Sequence, residues 1–217
     1  MLFANKMMNP MTDRYDTVAR QVRIKIAVGA CRFIASVANT KSEAEAKTFI
    51  ERVSGEFQDA THNAYAYRIG LGDLAICRQN DAAEPAGTAG LPMLQVIMHA
   101  DLTNVTVVGT RYFGGVKLGI GGLVRAYRAC AQAGLADAGR ITEVYMIEVV
   151  ISTPYDLLGA VIREVESVSG NVTGVEYGEE VVLVRADIPQ SSHETVQNLI
   201  IEATRGKAMI LLGNTNR

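Results

Sequence analysis

The chain of 217 residues has no tryptophan, three cysteines, three histidines and five prolines. Cys31, Cys77 and Cys130 are odd in number and far apart, with no CxxC pair among them. That pattern argues against a disulfide framework and against a structural zinc site, and it fits a reducing cytoplasm. His62, His99 and His193 are equally scattered and none stands in HExxH spacing, so no metal and no cofactor is expected. No apolar run approaches the roughly 18 residues that a membrane span requires. The first residues mix methionine with Asn5, Lys6, Asn9 and Asp13 and carry no apolar core segment. They are read as a disordered leader over residues 1–15 and not as a signal peptide.

What is present describes a globular chain, with 48% apolar and 20% charged residues. The net charge of -2 conceals a division. Residues 1–140 hold 16 Lys and Arg against 12 Asp and Glu, whereas residues 141–217 hold 5 against 11. A nucleic-acid surface needs positive charge, so if one exists it belongs to the first part.

The most unusual stretch is Gly109-Thr-Arg-Tyr-Phe-Gly-Gly-Val-Lys-Leu-Gly-Ile-Gly-Gly122, in which six of fourteen residues are glycine. It follows the apolar run Asn104-Val-Thr-Val-Val108 and precedes Leu123-Val-Arg-Ala-Tyr-Arg-Ala-Cys130, an order that reads as strand, tight loop and helix. Ordered glycine is entropically costly, so either backbone approaches something closely here or positive φ is needed. Arg111 and Lys117 bracket the turn, with Arg125 and Arg128 on the helix beyond. One reading is an anion site at a helix N-terminus, and the other is a tight structural connection with solvated cations. Neither a P-loop nor a dinucleotide fingerprint is present, since Lys117 is followed by leucine and GxGxxG with its downstream acid is missing.

Along the chain, residues 25–29 and 32–37 predict a hairpin about Gly29. Thr40-Lys-Ser-Glu43 reads as a capping box for a helix whose inner positions are Ala46, Ile50, Val53 and Phe57. Residues 63–69 alternate as a strand with Tyr65, Tyr67 and Ile69 on one face, and residues 74–78 suggest a further short strand. Residues 80–90 form a loop, a helix over 91–99 carries Pro92 in its first turn, and the helix after the glycine segment buries Leu123, Tyr127, Cys130 and Ala131 by spacing. The N-terminal domain, residues 16–140, is thus α/β. In the C-terminal domain, residues 141–217, a strand over 144–151 precedes a helix capped by Thr153-Pro154. Strands over 172–177 and 181–188, a helix after the capping pattern Ser191-Ser-His-Glu194, and a strand over 208–212 complete the order β-α-β-β-α-β of ferredoxin-like domains. The fold class is therefore α/β (α+β).

His62-Asn-Ala-Tyr-Ala-Tyr67, Glu84-Pro-Ala-Gly-Thr-Ala-Gly-Leu-Pro92 and the twenty residues from Val108 to Tyr127 carry a resemblance to the IMPACT family, of the bacterial two-domain type. The resemblance implies a first domain like the second domain of ribosomal protein S-five and a second domain like the C-terminal part of elongation factor G. It also implies a connection to translation, since eukaryotic relatives regulate translation under amino-acid stress. The family loop usually opens Asp-Asp-Gly-Glu-Pro. Here it is Asn80-Asp-Ala-Ala-Glu-Pro85, which keeps Glu84 but loses an acid and the glycine, and this weakens any two-metal reading.

Three functions compete. The leading one is a non-enzymatic cytoplasmic protein that binds RNA, the ribosome or a translation factor. Its contact residues would be Arg111, Tyr112, Phe113, Gly114, Gly115, Lys117, Gly119, Gly121, Gly122, Arg125 and Arg128. The second is an enzyme on a small phosphorylated or nucleotide-like substrate, with His62 and Glu84 for proton transfer and Thr88 as a weak candidate nucleophile. Against each stands a structural role: a hydrogen-bonding histidine, a hydroxyl capping the next turn, and Tyr65 and Tyr67 as core. If the strand extends through Tyr112 and Phe113, one ring faces inward and its neighbour outward, where it would offer a platform for a base beside Arg111. The third is a protein–protein adaptor, which an exposed apolar patch on the second domain would support.

Overall fold

The computed structural model describes residues 13–72 and 75–212, so most of the expected leader lies outside the described residues. The chain separates into two compact units. Tyr15–Glu143 form the first, and Val144–Arg217 form the second together with Asp13 and Arg14.

The first unit begins with β1 (Arg14–Val18), then the hairpin β2 (Val22–Val28) and β3 (Cys31–Asn39), which turns through Gly29 at φ 58°. There follow α1 (Glu43–Glu56), β4 (His62–Ile69), β5 (Ile76–Asn80), α2 (Gly90–His99), β6 (Val105–Tyr112), α3 (Gly119–Ala138) and β7 (Arg140–Val144). Five strands form one sheet in the order β2-β3-β6-β4-β5, and every adjacent pair is antiparallel. β3 and β4 both run against β6, so the connection through α1 joins two parallel strands across the one between them. β1 and β7 pair separately.

The two faces of this sheet are packed differently. On one face Phe33, Ala35, Val37, Ala64, Ala66, Val105 and Val107 meet Met93 and Ile97 of α2 and Tyr127, Cys130 and Ala131 of α3. Gly134 of α3 faces Ala35 and Val37, and a Cβ there would lie 2.8 Å from each, so the small residue sets how near the helix comes to the sheet. On the other face α1 places Phe49 and Val53 against Ala38 and Val108, with Ala46 against Tyr67 and Ile69. Tyr65 and Tyr67 therefore belong to the packing under α1.

The second unit runs β8 (Met146–Thr153), α4 (Leu158–Ser167), β9 (Asn171–Tyr177), β10 (Val182–Pro189), α5 (His193–Thr204) and β11 (Met209–Leu212), with sheet order β11-β8-β10-β9, all antiparallel. This is the ferredoxin-like arrangement. Val149, Ile151, Val184 and Ile188 pack with Val161, Val165, Val196 and Ile200 of the helices.

Several local readings are corrected. Thr40 is not the α1 cap, because its hydroxyl is buried 2.7 Å from that of Thr106. The box lies two residues on, where Ser42 accepts from the Glu45 amide at 3.2 Å and Glu45 accepts from the Lys41 amide at 2.7 Å. Thr153 caps nothing, since its hydroxyl faces the Pro154 carbonyl at 3.4 Å and a 3-10 turn over Tyr155–Leu157 leads into α4. Ser191 is held by Asp13, whose carboxylate accepts from its amide at 2.7 Å and from its hydroxyl, and Ser192 at the start of α5 makes no side-chain cap. The strand expected over residues 144–151 is present as β8 (Met146–Thr153), beginning two residues later, with Val144 instead ending β7.

Candidate functional site

Arg111 stands on β6 in the same alternation as Val107 and Gly109, on the face toward α2 and α3. That parity puts a guanidinium into an apolar interior, where an unpaired charge is costly. Glu84 supplies the counter-charge from the loop before α2. Its two oxygens accept from Arg111 Nη1 at 2.8 and 3.1 Å, and the side-chain exposures are 2% for Glu84 and 7% for Arg111. The Tyr127 hydroxyl donates to Glu84 Oε1 at 2.8 Å, and the Cys31 thiol lies 3.5 Å from Arg111 Nη2. The Arg111 guanidinium also lies 5.9 Å from the Phe33 ring centre and 5.5 Å from that of Phe113. Arg111 Nε is buried with no hydrogen-bond partner among the described residues.

Burial pushes the Tyr127 hydroxyl well above its ordinary range, with the Glu84 charge adding to it. For Arg111, burial acts downward, but the Cys31 and Glu84 contacts outweigh it and hold the guanidinium firmly protonated.

His62 Nε2 is 3.8 Å from Glu84 Oε2, and its Nδ1 is 2.8 Å from the Ala82 carbonyl. The two sequence candidates for acid–base work are thus brought together. Glu84, however, is already engaged by Arg111 and Tyr127 and closed from solvent. Thr88 is buried, with its hydroxyl donating to the Pro85 carbonyl at 2.6 Å, which is the turn-capping role. The loop itself is ordered by Asp81, which accepts from the amides of Gly87 at 2.7 Å, Ala89 at 3.0 Å and Gly90 at 2.8 Å. Burial would raise the Asp81 pKa, but these three donors hold it below its ordinary value.

The glycine segment has structural reasons for part of its composition. A Cβ on Gly114 would lie 1.9 Å from the Ala30 carbonyl oxygen, so this backbone is pressed on the turn between β2 and β3. Gly115 and Gly119 take φ of 86° and 69°. Gly119 opens α3, with Gly121 and Gly122 in its first turn, and the N-cap Leu118 gives no side-chain hydrogen bond. Lys117, Arg125 and Arg128 are exposed, with Arg128 donating to Gln95 at 3.0 Å. Phe113 is 46% exposed, Val116 65% and Ile120 69%. Tyr112 faces the other side of the sheet, its hydroxyl 2.8 Å from Asp59 and its ring beneath Arg32. The sequence grouping is therefore divided. Lys117, Arg125, Arg128 and Phe113 reach solvent, whereas Arg111, expected among the outer cations, is interior.

Sequence reasoning missed Cys31 and Tyr127 as partners of the ion pair and Asp81 as the organiser of its loop. The parity of Arg111 with Val107 and Gly109 was the available signal. Among the described residues no three His, Cys, Asp or Glu side chains group as metal ligands, and no helix is long and apolar enough to cross a membrane. In the second unit, Met209 and Leu211 are 66% and 57% exposed. They stand opposite Ser152 and Val150 of β8, on the sheet face away from α4 and α5.

Comparison with known proteins now bears on this arrangement. The chain is 34% identical over 203 residues to the IMPACT family member YvyE of Bacillus subtilis, covering 94% of this chain and 93% of that protein. The chain belongs to the IMPACT family. The Impact N-terminal domain profile matches residues 30–135, and a domain of unknown function, DUF1949, matches residues 151–207. A second member, YigZ of Escherichia coli, is 30% identical over 89% of this chain and 95% of its own length. A member from Thermus thermophilus is 43% identical over 60% of this chain and 69% of its own. A crystal structure described only as that of a hypothetical protein aligns with a TM-score of 0.72 and 28% identity, covering 94% of this chain and 98% of that one. Within the stretch matched by the Impact N-terminal domain, the loop that begins at Glu84 and the strand leading into the glycine segment supply the two sides of one buried ion pair.

Proposed function

We propose that this IMPACT family member is a non-catalytic protein of the translation apparatus that binds RNA, the ribosome or a translation factor through its first unit. The observation that carries this reading is the sorting of charge around the glycine segment. Arg111 and Glu84 neutralise one another inside, while Lys117, Arg125, Arg128 and Phe113 are all exposed. The surplus of basic residues up to position 140 agrees with it. The enzymatic reading asks His62 and Glu84 to exchange protons with a substrate, and a carboxylate with 2% side-chain exposure, held by two internal donors, is poorly placed for that.

The test is cosedimentation with ribosomes, and filter binding to RNA, across a salt series. The Lys117→Ala/Arg125→Ala/Arg128→Ala variant is expected to bind at least tenfold more weakly, with a shallower dependence of affinity on salt. A variant indistinguishable from the parent in both respects would remove the basis of the reading.

A further inference from the structure

The sheet of the first unit has a second cationic region that the glycine segment does not include. On the α1 side, the alternation of β2 leaves Arg23, Lys25 and Ala27 exposed, and Arg32 is exposed at the start of β3. The register places Ala27, Arg32 and Tyr112 abreast on three adjacent strands, with Lys25 and Ile34 paired two residues along. Phe57 and Asp59, just beyond α1, close one side. All of these except Arg23 line a groove of about 480 Å³, within the size range of small-ligand sites.

The chemistry of the lining is specific. The Arg32 guanidinium lies over the Tyr112 ring at 4.8 Å, and that of Arg23 over the Phe57 ring at 4.7 Å. Of the nearby acids, Glu56 pairs with Arg23 at 2.6 Å, whereas Asp59 accepts from the Tyr112 hydroxyl at 2.8 Å and keeps its charge in the lining. Lys25 and Arg32 take part in no ion pair among the described residues. The groove thus has an apolar floor of Ala27 and Ile34, flat π surfaces, and two cations, Lys25 and Arg32, against the one carboxylate of Asp59. Phosphates are held by such cations, and unpaired bases stack on aromatic rings and guanidinium planes. Paired bases in a duplex have no free face to offer. We infer that this groove seats a short stretch of single-stranded RNA, with Lys25 and Arg32 on phosphates and the Arg32–Tyr112 stack against a base. The inference rests on the RNA reading of the preceding section but locates a different contact surface.

The experiment uses the full chain and a labelled, unstructured pyrimidine RNA of about 12 nucleotides, with affinity followed by fluorescence anisotropy over a potassium chloride series. Lys25→Ala/Arg32→Ala is expected to weaken binding about tenfold and to flatten the log–log salt slope by about 1.4, as two lost single-strand phosphate contacts require. Arg32→Lys is expected to keep the slope and lose affinity severalfold, because it keeps the charge but not the plane. Both positions are exposed, so the variants fold, and a matching duplex is expected to bind more weakly than the single strand. If the parent binds and the double variant binds identically, the groove is overturned while RNA binding stands. If the parent fails to bind the oligonucleotide, the groove is overturned, and the ribosome cosedimentation above then decides the broader reading separately. If a glutamate-rich peptide binds more tightly than RNA and displaces it, the groove belongs to an acidic protein partner and the inference fails.

Discussion

Arg32 and Arg111 lie one register step apart on the paired strands β3 and β6, and they end in opposite circumstances. Arg111 faces α2 and α3, is 5% exposed, and is held by Glu84, Cys31 and a shell of aromatic rings. Arg32 faces the α1 side, remains in water, and lies on a tyrosine ring. Residue type is the same and strand parity differs. The comparison teaches that a guanidinium on the closed face must bring an acid with it, because removing an ion from water costs several kcal/mol. A guanidinium on the open face needs no such partner and stays free for a ligand. The first arginine should report in stability and the second in binding.

The largest effect that would sharpen this contrast comes from breaking the pair. Glu84→Ala or Arg111→Ala leaves a buried uncompensated charge and should lower unfolding free energy by about 3–5 kcal/mol in urea titrations. Arg32→Ala should unfold with the parent. Equal stability losses at the two arginines would erase the distinction. A smaller effect is expected at Asp81, which supports the Glu84 loop through three amides. Asp81→Ala should cost about 1–2 kcal/mol, in the range of a lost helix cap. Because its folded pKa lies below the ordinary 3.8, its contribution is complete above that value and declines as the pH falls through and below it. Acid unfolding of Asp81→Ala should therefore depend less on pH below about 4 than that of the parent. The smallest effect has the opposite sign. Ala83 has φ 66°, where a Cβ is disfavoured, at the loop position where the family usually carries glycine. Ala83→Gly should stabilise by about 0.5 kcal/mol after the added freedom of the unfolded chain is set against the relieved strain, and thermal unfolding would resolve it.

Much of the architecture was legible because it rests on local periodicity. Leu123, Tyr127, Cys130 and Ala131 recur at helical spacing and all are buried, and the β-α-β-β-α-β order of the second unit follows from alternation and turn residues. Pairing over long sequence separations was not legible. β1 and β7 are short, they pair with each other in a two-stranded sheet, and nothing local marks them as strands. Capping patterns were over-read, because Thr40 and Ser191 have competing partners far along the chain and Thr153 turns to the adjacent Pro154 carbonyl. At the site, a count of cations could not separate Arg111 from Lys117, since Arg111 sits on β6 toward α2 and α3 whereas Lys117 lies in the exposed segment after that strand. Nor could the sequence connect Lys25, Arg32, Phe57 and Tyr112, which come from four separate segments and meet only through the register of the sheet.

The contact of Gly114 with the Ala30 carbonyl joins backbone to backbone, with no side chain between them that a rotamer change could adjust. Arg32 begins two residues after that junction and Lys117 three residues beyond it, so the groove and the outer cations are mounted on one rivet.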